Sequence, residues 1–159
     1  PDDAEIAARR DAVWQPYHDK LREEIDRIRA AHGVAGLWEA HSIRSVLPRF
    51  FEGKLPDLNF GTNKGASCDD AMTQVILAAA GKAEGFTWVL NGRYTGGYIT
   101  RHFGQPQDNV HAIQLEMCQS TYMQEALPFD YLPDVAAKIR PHLQAMLQAM
   151  LQFLRSRQG

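Results

Sequence analysis

The chain reads as an α/β domain built on a mixed, largely parallel sheet flanked by helices. Short apolar runs at 34–39, 86–90 and 111–116 alternate with helix-periodic segments. Two of those segments, one near each end, carry apolar residues at spacings of three, four and seven. Clusters of Gly, Pro and Asn separate the elements. A length of 159 residues suits a single domain over 1–159 with one core, and neither a repeat nor a linker interrupts it.

Asp2 or Asp3 caps the first helical region, in which Ile6, Val13, Tyr17, Leu21, Ile25 and Ile28 form one apolar stripe. Pro16 predicts a kink or two helices in succession, and Gly33 a stop. Val34 to Glu39 reads as a buried strand ending just before His41. From Ser42 to Ser67 the chain is mostly loop, with one strand near Leu58 to Gly61. Asp69 or Asp70 caps an alanine-rich helix from Ala71 to Ala83, ending at Gly85. Phe86 to Leu90 follows as a strand, and 91–104 is a glycine-punctuated loop suited to passing close to a ligand. A strand from His111 to Glu116 and a turn around Pro128 to Pro133 lead to a closing helix. Its docked face carries Val135, Ile139, Leu143, Met146, Leu147, Met150, Leu151 and Leu154.

Charge and composition exclude several function classes. With 17 basic against 19 acidic residues there is no basic field for nucleic acid. No apolar run approaches the roughly 20 residues that span a bilayer, and the first residues do not resemble a signal peptide, so a cytoplasmic protein is expected. Cys68 and Cys118 lack paired spacing and are expected as reduced thiols.

The chemistry points to strand ends. His41 follows an apolar strand, which is a rigid mount for an imidazole that can ligate zinc. A histidine after a strand is more often a hydrogen-bonded structural residue, however, and zinc needs three or four ligands where one is evident. Glu116 closes another strand, where burial raises its pKa and suits it to proton transfer; the plain alternative is a solvated carboxylate. If the two strands are parallel, His41 and Glu116 meet at their carboxyl ends. Glu39, two residues before His41, shares its sheet face and is placed to orient the ring. Arg44, Arg93 and Arg101 lie in loops, where guanidinium groups can grip carboxylates; solvated arginines are the alternative. His111 opens its strand, at the far end from Glu116. His18, His32 and His142 read as packing or surface residues.

Taken together, Tyr17-His18, Glu39-Ala40-His41-Ser42, Gly96-Gly97-Tyr98-Ile99 with Arg101 and Gly104, and Gln114-Leu115-Glu116-Met117 resemble the N-formylglutamate amidohydrolases in order and spacing. The resemblance covers nearly the whole chain. It implies a zinc-carboxypeptidase-like (phosphorylase/hydrolase-like) fold, with His41-Ser42 supplying a metal ligand and Glu116 the base. Family members often have Asp where Glu39 stands, and both accept a hydrogen bond. The family's long N-terminal portion, with a Pro-His-x-Gly type motif implied to provide the first zinc ligands, has no counterpart ahead of Asp2. The chain is therefore expected to be the C-terminal part of such an enzyme, associating with itself or with the absent segment.

The implied reaction is zinc-dependent hydrolysis of N-formyl-L-glutamate to formate and L-glutamate, in histidine degradation. In it Glu116 takes a proton from water and delivers it to the leaving nitrogen, Arg44 and Arg101 hold the substrate's carboxylates, and Tyr98 donates near the oxyanion. Glu39 and Ser42 support His41. Two other readings stay open: a hydrolase of a different N-acyl amino acid, and a non-catalytic fragment lacking the other metal ligands.

Overall fold

The computed structural model of this chain describes residues 1–157. The Asp2 carboxylate accepts the backbone N–H of Glu5 at 2.8 Å and so caps helix α1 (Asp3–Arg9). A π-helical turn (Arg10–Trp14) leads into α2 (Gln15–His32). The break expected at Pro16 thus takes the form of two helices joined through a widened turn, with Pro16 in the first turn of α2. Only part of the predicted apolar stripe is buried. Ile25 packs with Leu21 and Ile28 against Phe103 and Val110, whereas Ile6, Val13 and Tyr17 are 52%, 71% and 57% exposed. Helical periodicity reports a face; it does not report how far along that face the rest of the protein extends.

Strand β1 (Ala35–Ile43) carries His41 and Ser42 within it, instead of ending before them. The remaining elements are β2 (Leu58–Gly61), α3 (Asp70–Ala80), β3 (Trp88–Leu90), α4 (Tyr98–Phe103), β4 (Val110–Cys118) and α5 (Pro133–Ser156). Asp69 caps α3 by accepting from Ala71 N at 2.7 Å, and the helix ends at Gly81, earlier than expected. Helix α4 corrects the reading of 91–104 as loop throughout.

The sheet order is β1-β4-β2-β3. Strands β1 and β4 pair in parallel over nine residues, and β2 and β3 are also parallel, while β2 and β4 are antiparallel. The sheet is therefore mixed and mostly parallel.

Alternation along the strands divides the sheet into two unlike faces. Leu58, Phe60, Ile113 and Leu115 point to one side, where Met72 and Ile76 of α3 and Ile139, Met146 and Met150 of α5 close the main core. On the other side lie two smaller clusters. Ala35 and Val110 meet Ile25 of α2 and Phe103 of α4 at one end of the strands, and Cys118 meets Phe51 and Leu55 at the other. The space between these two apolar ends is filled by polar residues.

Both cysteines are free and buried, and burial pushes each thiol up to about 11. At pH 8 the folded protein is therefore expected to resist a thiol-reactive disulfide reagent and to react at both positions once unfolded. Rapid labelling of native protein would contradict this packing. Among the described residues, no helix is long and apolar enough to cross a membrane.

Candidate functional site

The polar strip between the two clusters is built by strand register alone. His41 stands beside Glu116, and Glu116 beside Asn59. One step back along the same face, Glu39 stands beside Gln114 and Gln114 beside Gly61. Register partners share a face, with neighbouring strands about 4.8 Å apart, so His41 and Glu116 are side by side near the carboxyl ends of two parallel strands. The condition set by the sequence, that these strands be parallel, is met.

The two groups differ in burial. Glu116 is 8% exposed, whereas the His41 side chain keeps 45% of its surface. Loss of water raises the Glu116 pKa, with the neighbouring imidazole pulling it down and Glu39 pushing it up by smaller amounts. The result is a carboxyl group that holds its proton to higher pH than a free one, beside an imidazole open to solvent.

His41 Nε2 lies 2.9 Å from Glu39 Oε1. A carboxylate oxygen accepts, so Nε2 carries a proton, and in the neutral ring Nδ1 keeps the lone pair. The other oxygen of Glu39 accepts from Thr100 twice, from its backbone N–H at 3.1 Å and from its hydroxyl. Gln114 Oε1 accepts from Gly97 N at 2.7 Å. The start of α4 is thus tied to the sheet through two side chains of the polar strip.

Two glycines let this happen. A Cβ on Gly61 would sit 2.5 Å from Gly96 N and 2.6 Å from Thr95 C, so the loop before α4 lies directly on β2 only because Gly61 has no side chain. Gly96 has φ +115, a conformation L side chains rarely adopt.

The other predicted site residues are distributed differently. Ser42 follows His41 and so points to the opposite face, where its hydroxyl shares a 2.7 Å hydrogen bond with that of Tyr122. Arg101 belongs to α4 and not to a loop; its Nη1 donates to Gly96 O at 2.7 Å, which secures the same glycine turn. Arg44 is exposed, just beyond β1. Tyr98 is 43% exposed and belongs to an aromatic cluster, stacked on His102 at 4.9 Å and edge-on to His18 at 5.3 Å. Arg93 lies over the Phe51 ring at 5.4 Å.

Sequence reasoning passed over four residues that the fold brings into or beside the strip. Gln114, Asn59 and Thr100 carry no charge to mark them. Tyr94 packs in the cluster around Phe51, close enough for the Glu116 carboxylate to add to the burial that raises its own pKa. The two-residue spacing of Gln114 and Glu116, matching that of Glu39 and His41, was the available signal for the first.

Zinc takes three or four protein ligands. Among the described residues no three His, Cys, Asp or Glu side chains gather where one ion could be held. His41, with Nδ1 free and Nε2 engaged by Glu39, fits one ligand position, and the residues present do not make a complete site.

The sequence pattern of the N-formylglutamate amidohydrolase family matches residues 1–123. The chain belongs to that family, whose name describes hydrolases of an amide bond. Among its relatives, the N-formylglutamate deformylase of Pseudomonas aeruginosa is 51% identical over 145 residues, covering 91% of this chain and 54% of the relative. That of Pseudomonas putida is 50% identical over 141 residues, covering 89% and 53%. The crystal structure of N-formylglutamate amidohydrolase from Ralstonia eutropha superposes with a TM-score of 0.81 at 21% identity, over 96% of this chain and 55% of that one, and shows the fold. The chain spans about half the length of the relatives it matches.

Proposed function

We propose that this chain supplies part of the active site of an enzyme that hydrolyses N-formyl-L-glutamate to L-glutamate and formate, with His41 and Glu116 at its centre. Family membership supports the reaction class, and the names of the relatives support the substrate. The observation that carries the assignment to residues is the register pairing of a partly exposed imidazole with a buried carboxyl of raised pKa.

In this reading Glu116 takes the proton of the attacking water on its carboxylate and returns it to the departing nitrogen, for which a carboxyl poised above its ordinary range is suited. Glu39 holds the imidazole. Arg44 and Arg101 are the proposed cations for the substrate's two carboxylates, Arg101 from a turn it already braces, and Tyr98 the proposed donor beside the formyl oxygen. The proposed cofactor is zinc, with His41 as one ligand; bound there, zinc would polarise the formyl carbonyl. The remaining ligands would come from the part of the relatives' length that this chain does not span, for which the scaffold proposed is of the zinc-carboxypeptidase type. Strand β1 ends the sheet with nine residues, and the partner we propose for that open edge is a segment corresponding to that part of the relatives. The expected setting is cytoplasmic.

A second reading rests on the incomplete ligand set: alone, the chain holds no zinc and is inert. Metal analysis and formate release test both: stoichiometric zinc with turnover in the chain by itself would overturn the second reading, and neither zinc nor turnover in the full-length protein would overturn the first. Zinc and turnover in the full-length protein only are expected. On that protein, N-formyl-L-glutamate should be cleaved far faster than its N-acetyl and N-succinyl counterparts, and equal rates would overturn the deformylase assignment.

A further inference from the structure

We propose that Thr100 is a positioning residue that acts on His41 through Glu39. The inference rests on the role given above to His41 only for its catalytic consequence; the geometry stands by itself. Thr100 is completely buried. Its backbone N–H and its hydroxyl both donate to Glu39 Oε2, while His41 Nε2 donates to Oε1. The carboxylate is therefore clamped on one side by two donors fixed to a helix and presents its second oxygen to the ring on the other. With Nε2–H directed at a fixed acceptor, Nδ1 is the nitrogen left with its lone pair toward whatever binds at the strand ends.

The surroundings of Thr100 fix which way its hydroxyl points. A Cβ on Gly96 would come within 2.9 Å of Thr100 Cγ2, so the methyl arm fills the space that Gly96 leaves open and the other branch is turned to Glu39. Gly97, anchored on Gln114, sets the height at which the Thr100 N–H arrives. A β-branched residue with one polar and one apolar arm satisfies both neighbours, and this gives the test its discriminating power.

Thr100→Val keeps the packed methyl and the backbone N–H and replaces only the hydroxyl, with a second methyl. Thr100→Ser keeps the hydroxyl and removes the methyl. If Thr100 positions Glu39, formate release by the full-length protein should fall about tenfold in kcat for the valine variant, with KM within about twofold, and the serine variant should stay close to the parent. If Thr100 merely packs, the order reverses, with serine the damaged variant and valine the intact one, and the inference is overturned. A second readout does not depend on turnover. Nitrogen-15 spectra of the His41 ring, recorded after chelator treatment, should show one tautomer protonated at Nε2 in the parent and serine proteins and a mixture in the valine protein. An unchanged tautomer in the valine protein overturns the inference. A shifted tautomer in a protein that never releases formate upholds it and rejects the deformylase reading instead.

Discussion

Glu116→Gln is expected to abolish most formate release, by about 10²- to 10⁴-fold, while leaving the affinity for N-formyl-L-glutamate nearly unchanged. Glutamine preserves the shape of the side chain and its place beside His41, but it cannot take up a proton. The same substitution should stabilise the fold at any pH above the raised pKa of Glu116. Burial raises the Glu116 pKa above that of the unfolded chain, so the folded state binds this proton more tightly. Its favourable contribution is fully present below the unfolded value and is lost as pH rises through the raised one. Glutamine is neutral throughout. Its melting temperature should therefore exceed that of the parent above the raised pKa and converge with it in acid. Activity lost together with stability gained marks a group kept for chemistry at the expense of packing. A variant that lost both would instead mark Glu116 as structural.

Gly61→Ala should have the second largest effect, although residue 61 carries no chemistry. Its new Cβ would lie 2.5 Å from Gly96 N and 2.6 Å from Thr95 C, and neither backbone atom can move without the loop. Overpacking of this kind costs about 1–3 kcal/mol. The more telling result is expected in turnover. Lifting the loop draws Gly97 off Gln114 and Thr100 off Glu39, loosening the hold on His41, and a displacement of about 1 Å at a reacting group can cost 10²-fold. Activity should thus fall at temperatures where the variant is still folded. Loss of activity only in step with unfolding would contradict the coupling between this glycine contact and the site.

How much of this could be read from the sequence depended on whether the signal was local. Glu39 and His41, and Glu116 at the end of its run, were legible because a two-residue alternation places like-facing side chains together. Apolar content ends β1 too early, since the strand continues through Ala40, His41 and Ser42 to Ile43 where one face of the sheet lines a cleft. Strand β4 runs on past its carboxylate through Met117 to Cys118. Helix α4 is hidden by Gly96, Gly97 and Gly104 around it; six residues are too few to form a helix by propensity, and what holds this one are hydrogen bonds from its first backbone N–H groups to side chains on strands distant in sequence. The antiparallel pairing of β2 with β4, which brings Asn59 and Gly61 to the strip, has no sequence signature at all. The family resemblance pairs Ser42 with His41, and the same alternation sends its side chain to the other face.

In the proposed reaction His41 and Glu116 act on one reacting centre, and residues that work as a unit do not lose activity additively. The most direct measurement is formate release from N-formyl-L-glutamate by the full-length protein, by His41→Ala, by Glu116→Ala and by the double variant. The double variant is predicted to be no slower than the worse single one. A loss in the double variant equal to the product of the two single losses would show that the groups act independently, and would contradict the shared site.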